Sequence, residues 1–301
     1  MAVGVISDGG ERVDILRGRA GLIGPAVLLI GLFALLWSKA ATPQPKYAPL
    51  SAYFDYGQAS VPVSQVTPLP STTLEVIQRS DADRATSQLD IVLEAELYRA
   101  ELAELGDELQ SALDYVEERT GIQAHGRIKL IISQDAACGF HGVTYSDVRV
   151  VYVFSCAGIP RQRVVNIAAH EFVHQLEQDR YGPPHLSADL ALSEGFATWG
   201  AGKYWLGGNP DFATFAREYR ASGTAIALGT HYSAVGLGGM NILYYQWASF
   251  VDYLIATYGR ERFDALYVSG GGGTPGGADY AAVTGQSFEL LEQAWIAALG
   301  R

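Results

Sequence analysis

From Thr86 to Thr120, apolar residues recur three and four apart. Leu89, Val92, Leu93, Leu97 and Ala100 form one stripe; Leu102, Leu105, Leu109, Leu113 and Val116 continue it after a small shift of phase. This spacing predicts one long helix or two short ones, with Gly121 as the stop. The pattern then changes. "RIKLIIS" (Arg127 to Ser133) and "VRVVYVF" (Val148 to Phe154) are short, rich in β-branched residues and bounded by Gly and Asp, so they predict strands. Beyond them the helical period returns, over Arg161 to Gln178, Leu190 to Trp205, Asn241 to Tyr258 (closed by Gly259) and Ser287 to Leu299. The expected class is therefore α+β, a small mixed sheet followed by a mainly helical C-terminal half. "SGGGGTPGG" (Ser269 to Gly277) predicts a flexible loop; it lacks the Lys-Ser/Thr pair of a phosphate-cradling loop.

The first 80 residues have a different pattern. Ala20 to Trp37 carries no charge and is long enough to cross a bilayer core as a helix. Arg12, Arg17 and Arg19 precede it, which predicts a cytoplasmic segment at 1–19, a transmembrane anchor at 20–38 and an extracytoplasmic remainder, periplasmic or extracellular. The small residues Ser38 and Ala40 leave signal-peptide cleavage as the alternative. Residues 39–80 are rich in Pro, Ser and Thr and read as a linker to a domain at 81–301.

Composition narrows the choice of function. A formal net charge of −11, with no basic aromatic-interleaved patch, argues against nucleic acid as a partner. Cys138 and Cys156, the only two cysteines, flank a predicted hairpin, and export would favour their pairing as a disulfide.

The chemistry concentrates in "NIAAHEFVHQLEQDRYG", Asn166 to Gly182. His170 and His174 lie four apart, one turn above each other on one helix face, where both can reach a single ion. Glu171 is about 100° further round, placed to serve a water on that ion without ligating it. A His-Glu-x-x-His match arises by chance in roughly one chain of this length in a hundred, so a third ligand is needed to support the assignment. Glu194, in "ALSEGFATW" on the next predicted helix, is the candidate. Gly182, Pro183 and Pro184 can turn the chain back between the helices, and Asp189 can cap the second.

With "HEFVH" followed at this distance by "LSEGFATW", the chain resembles the gluzincin zinc metallopeptidases, in particular compact bacterial peptidase MA-like domains. The similarity extends from about Gln123 to the end and is strongest from Val164 to Trp199. It implies a zincin-like fold, Zn2+ held by His170, His174 and Glu194, and Glu171 as general base. It also implies an oxyanion-stabilising side chain from the C-terminal half, for which Tyr244 is preferred and Tyr245 and His231 are rivals. The strand Arg149 to Phe154 would be the edge along which a peptide lies. One departure stands out: thermolysin-like members carry an Asp four residues after the ligand Glu, where it orients a histidine, and here Thr198 occupies that place. His125, His141 and His185 are expected in loops or at the surface rather than among the ligands.

The expected function is that of a membrane-anchored extracytoplasmic metallopeptidase, hydrolysing peptide or protein substrates through a zinc-activated water with Glu171 as base. A catalytically inactive gluzincin-fold binding or scaffold protein is the alternative, and hydrolysis of another amide, such as a cell-wall crosslink, is a third. The intact Glu171 favours turnover, because a structural zinc site needs no base. No exopeptidase motif is visible, which favours endopeptidase action; the sequence gives no indication of oligomeric state.

Overall fold

The computed structural model describes residues 81–138 and 141–300. The anchor and linker expected at 1–80 lie outside the described residues. Among the described residues, no helix is long and apolar enough to cross a membrane.

The chain is of the α+β class, with a five-stranded mixed sheet followed by a mostly helical half. The strands are β1 (Arg84–Ala85), β2 (Leu89–Leu93), β3 (Ile128–Gln134), β4 (His141–Tyr145) and β5 (Val150–Ser155), in the spatial order β1-β2-β3-β5-β4. β2, β3 and β5 are mutually parallel, while β1 and β4 run antiparallel at the two ends. The parallel β2–β3 connection needs a crossover, supplied by α1 (Leu102–Thr120). Leu89, Ile91, Leu130, Ile132, Val151 and Val153 line the sheet face that joins the main core with α1 and with α2 (Arg161–Tyr181). Alternate residues Ile131, Val150 and Tyr152 form a smaller cluster of their own.

The remaining helices are α3 (Leu190–Ala201), α4 (Lys203–Leu206), α5 (Phe212–Ala221), α6 (Leu237–Tyr258), α7 (Arg260–Val268), α8 (Tyr280–Thr284) and α9 (Phe288–Leu299). α2 enters the core along nearly its whole length, from Arg163 to Glu177. α3 packs between α2 and α6, and two glycines permit the close approach. A Cβ at Gly195 would fall 2.8 Å from the Trp247 carbonyl oxygen, and one at Gly200 would fall 2.7 Å from a Val173 methyl group.

Several expectations are corrected. The helix predicted from Thr86 begins only at Leu102, and its first part contains β2. "LDIVL" satisfies both periods, but Leu89, Ile91 and Leu93 are buried while Asp90 and Val92 are half-buried, an alternation that a strand between neighbours can use. The helix predicted over Leu190 to Trp205 breaks at Gly202, whose positive φ of 44° ends α3. β5 is an interior strand, paired on both sides, so the edge is β4 and His141 lies in it rather than in a loop. The glycine-rich loop is hydrogen-bonded into the fold: Gly272 and Gly273 donate to the carbonyls of Ser187 and Ala188, and Gly271 forms a bridge with Ala188. Gly271 (φ 138°) passes so close to Asp189 that a side chain there would collide with its Cα at 2.8 Å.

Asp189 ties these pieces together. It is fully buried, caps α3 through the Ala191 amide, and also accepts from the Ala278 amide and the Tyr280 hydroxyl. Cys138 and Cys156 are joined as a disulfide with a Cα–Cα distance of 5.3 Å, linking the ends of neighbouring β3 and β5 immediately before β4 and α2.

Asp264 on α7 joins distant parts of the chain by accepting from Arg180, Tyr181 and Arg260, whose guanidinium also donates to the Thr120 carbonyl. Burial alone would raise the Asp264 pKa, but the hydrogen bonds from Arg180, Tyr181 and Arg260 outweigh it and hold the carboxyl below its usual 3.8. A folded-state pKa below the unfolded one contributes stability that is complete above the unfolded value and fades as pH falls through the folded value. The stability gap between the wild-type protein and Asp264→Asn is therefore expected to be constant above about pH 5 and to narrow below about pH 4, as measured by urea unfolding across that range.

Candidate metal centre

α2 and α3 bring His170, His174 and Glu194 to one point, with their ligand atoms all within 4.8 Å of one another. His170 Nε2 lies 3.2 Å from Glu194 Oε2 and 3.2 Å from His174 Nε2, and His174 Nε2 lies 3.6 Å from Glu194 Oε2. A tetrahedral ion with bonds of about 2.1 Å has ligand atoms about 3.4 Å apart, so two imidazole nitrogens and one carboxylate oxygen stand at suitable separations to hold a divalent cation. The His170 and His174 rings meet edge to face at 84°, each presenting Nε2 to the shared point.

The surroundings fix these side chains. His170 stacks on Trp205 (5.0 Å between ring centroids) and on Tyr244 (5.7 Å, 9° between planes). Trp205 is itself held by a hydrogen bond from its indole to the Asn166 carbonyl, 3.1 Å. Behind the histidines, Glu177 Oε2 lies 2.7 Å from His174 Nδ1, and the Thr198 hydroxyl lies 3.4 Å from His170 Nδ1.

Electrostatics favour positive charge at this point. Burial would raise the Glu194 pKa, yet hydrogen bonds and charge from His170 and His174 bring it well below the carboxylate range. Burial opposes protonation of His174, but Glu177 and Glu194 outweigh it and raise its pKa well above 6.5. Without a metal the pocket draws a proton between its carboxylates; a divalent cation answers the same charge.

Glu171 lies against the edge strand. Its Oε2 accepts from the Thr144 hydroxyl at 2.7 Å, and the same hydroxyl lies 3.0 Å from the Glu171 backbone oxygen. Gly142, on the same side of β4, leaves the room it needs: a Cβ there would lie 2.5 Å from the carboxylate Oε1.

Of the aromatic candidates, Tyr244 lies at the site. Burial and the neighbouring Glu194 carboxylate raise its pKa well above 10, so the hydroxyl keeps its proton at neutral pH. Tyr245 is turned into the core, where its hydroxyl donates to the Trp205 carbonyl at 2.8 Å. His231 is exposed and caps the turn at 232–234, accepting from the Ser233 amide. The sequence reading missed Tyr232. This phenol meets Tyr244 edge to face at 6.4 Å, and its pKa is raised by burial and then by the Glu194 charge. Its proximity depends on the turn before α6, which no spacing rule announces. His185, expected in the inter-helix loop, lies in the turn at Pro183–Ser187, but its side chain is largely buried, with Nδ1 2.8 Å from the Tyr267 hydroxyl. His125 remains in a loop before β3.

The chain matches no known family model and no curated protein.

A divalent cation is expected to bind one per chain and to raise the melting temperature. At 100 times Kd the gain is about 2.7 kcal/mol. Scanning calorimetry with and without chelator would measure it, and the gain should vanish in His170→Ala, His174→Ala and Glu194→Ala.

Proposed function

We propose that this chain is a zinc-dependent hydrolase acting on peptide bonds, with a gluzincin-like site on a zincin-like fold. The observation carrying this reading is the convergence of His170, His174 and Glu194 from two helices, with Glu171, next to the first histidine in sequence, hydrogen-bonded to Thr144 of the edge strand. A site serving structure alone would more often close its fourth position with Cys or His and would need no adjacent base.

When bound, the zinc ion would supply positive charge that polarises a scissile carbonyl and acidifies a water. Glu171 takes the proton of the attacking water and later delivers it to the departing amine. Thr144 and Gly142 hold its carboxylate at the strand edge while it does so. Tyr244 presents a protonated phenol to the oxygen on which negative charge develops, and Tyr232 is the second phenol near enough to share that role. The substrate lies extended along β4, whose outer edge has no partner strand among the described residues. The disulfide supports an oxidising compartment, in keeping with an exported domain behind an N-terminal membrane anchor.

The scaffold reading drew support from Thr198, which stands where an orienting Asp would be. Glu177 beside His174 weakens that support, because a buried carboxylate does back one ligand histidine.

Two substitutions test the enzyme reading. Glu171→Gln is expected to bind zinc as well as the wild-type protein and to lose about 10²–10⁴-fold in cleavage of a broad peptide library followed by mass spectrometry. Absence of cleavage by the wild-type protein itself, with zinc bound, would instead favour the scaffold. Gly142→Ala forces the Glu171 carboxylate from its place and is expected to lower kcat by about tenfold or more with zinc content unchanged, measured by steady-state kinetics beside metal analysis.

A further inference from the structure

Glu177 is fully buried on α2, one turn beyond His174. A carboxylate removed from water costs several kcal/mol unless its partners compensate, and an apolar residue in such a place is often as stable or more so. Its Oε2 faces His174 Nδ1 at 2.7 Å, while Oε1 has no hydrogen-bond partner. His185 Nδ1 lies 3.6 Å from Oε2 and 2.8 Å from the Tyr267 hydroxyl, which donates to Ser193 Oγ at 3.4 Å. This polar cluster is out of keeping with its setting, since the same stretch of α2 carries Phe172, Val173 and Leu176 into the core.

His174, Glu177 and His185 also bring ligand atoms within 4.8 Å, so a second cation must be considered. The 2.7 Å separation argues against it. It is a hydrogen-bond distance, well short of the roughly 3.4 Å between ligand atoms on a tetrahedral ion.

We propose that Glu177 is the positioning residue of the metal centre: it accepts the Nδ1 proton of His174 and so fixes the tautomer and ring orientation that leave Nε2 free for the cation. The orienting carboxylate, absent at Thr198, is here supplied from the histidines' own helix. Thr198, a neutral hydroxyl 3.4 Å from His170 Nδ1, gives the first histidine only weak support. His185 lies near the same Glu177 oxygen, and its partner Tyr267 stacks on Tyr181 at 4.2 Å, which ties the cluster to α7 and the end of α2.

The inference rests on the metal-centre reading, and its test separates the two. Affinities of the full chain for Zn2+ and Co2+ are measured by competition with a chromophoric chelator, together with the visible spectrum of the Co2+ form and the melting temperature of the metal-free protein. Glu177→Met, which removes both charge and acceptor, is expected to weaken binding about 10–100-fold and to shift the Co2+ bands. Glu177→Gln keeps an acceptor without the charge and should fall between it and the wild-type protein. Expressed as free energy, any fall in metal-free stability should be smaller than the loss of binding, because Glu194 remains beside His174. Unaltered affinity in both variants overturns the positioning role. So does a loss of affinity matched by a comparable fall in metal-free stability, which would make Glu177 a packing residue. A wild-type chain that binds neither ion overturns the metal centre itself.

Discussion

The structure turns on a carboxylate buried between two imidazoles. Glu194 is 17% exposed and His170 only 5%, and neither group would sit there alone without a large desolvation cost. Their mutual contact makes the burial tolerable, and that contact exists only because α2 and α3 approach closely. The approach in turn depends on Gly200, where a side chain would collide with Val173 of α2, while Gly195 lets α6 press on the other side of α3. Each glycine within a helix costs roughly 1 kcal/mol relative to alanine, so α3 gives up intrinsic helical stability for proximity. Packing against α2 and α6 has to make up the difference, and Phe196 and Ala197, wholly buried beside Glu194, contribute to it.

Asp189 extends the same constraint to the far end of the chain. By capping α3 and accepting from Ala278 and Tyr280, it fixes where α3 begins, and hence the height at which Glu194 meets the histidines. The glycine-rich loop serves this arrangement. It can lie against Asp189 only because its backbone takes positive φ values without side chains. Burial raises the Asp189 pKa while these hydrogen bonds lower it, so the latch holds a charge whose burial is only partly offset.

Most of the candidate site was legible in the sequence, because helical periodicity converts spacing into direction. Four residues apart means one face, and a Gly-Pro-Pro break followed by an apolar run means a returning helix. What escaped depended on contacts between elements distant in sequence. β2 was hidden because five residues are too few to separate two periods when leucines satisfy both. β4, "HGVTY", carries no apolar run; it is a strand because β5 supplies its hydrogen bonds, and its glycine faces Glu171. Glu177 read as one more acid on a charged helix. Its position three residues after His174 was visible, but its complete burial among His174, His185 and Tyr267 is set by the tertiary fold. Tyr232 escaped for the same reason.

The edge strand links the proposed base to the proposed path of the substrate more tightly than either feature suggests alone. Side chains alternate across a strand, so Gly142 and Thr144 face α2 together while His141 and Tyr145 face the other way, against Phe154 and Tyr152. Slipping β4 by one residue against β5 would turn Val143 toward Glu171 and carry both the space at Gly142 and the Thr144 hydrogen bond away from it. The aromatic pairs on the opposite face resist that slip, and the Cys138–Cys156 link holds the chain entering β4 to the end of β5. An extended chain pairing with the outer edge of β4 would therefore be set in register by the same strand that holds the Glu171 carboxylate. Reacting bond and base would then be aligned by backbone geometry alone, and a preference among side chains would have to come from residues outside the strand edge.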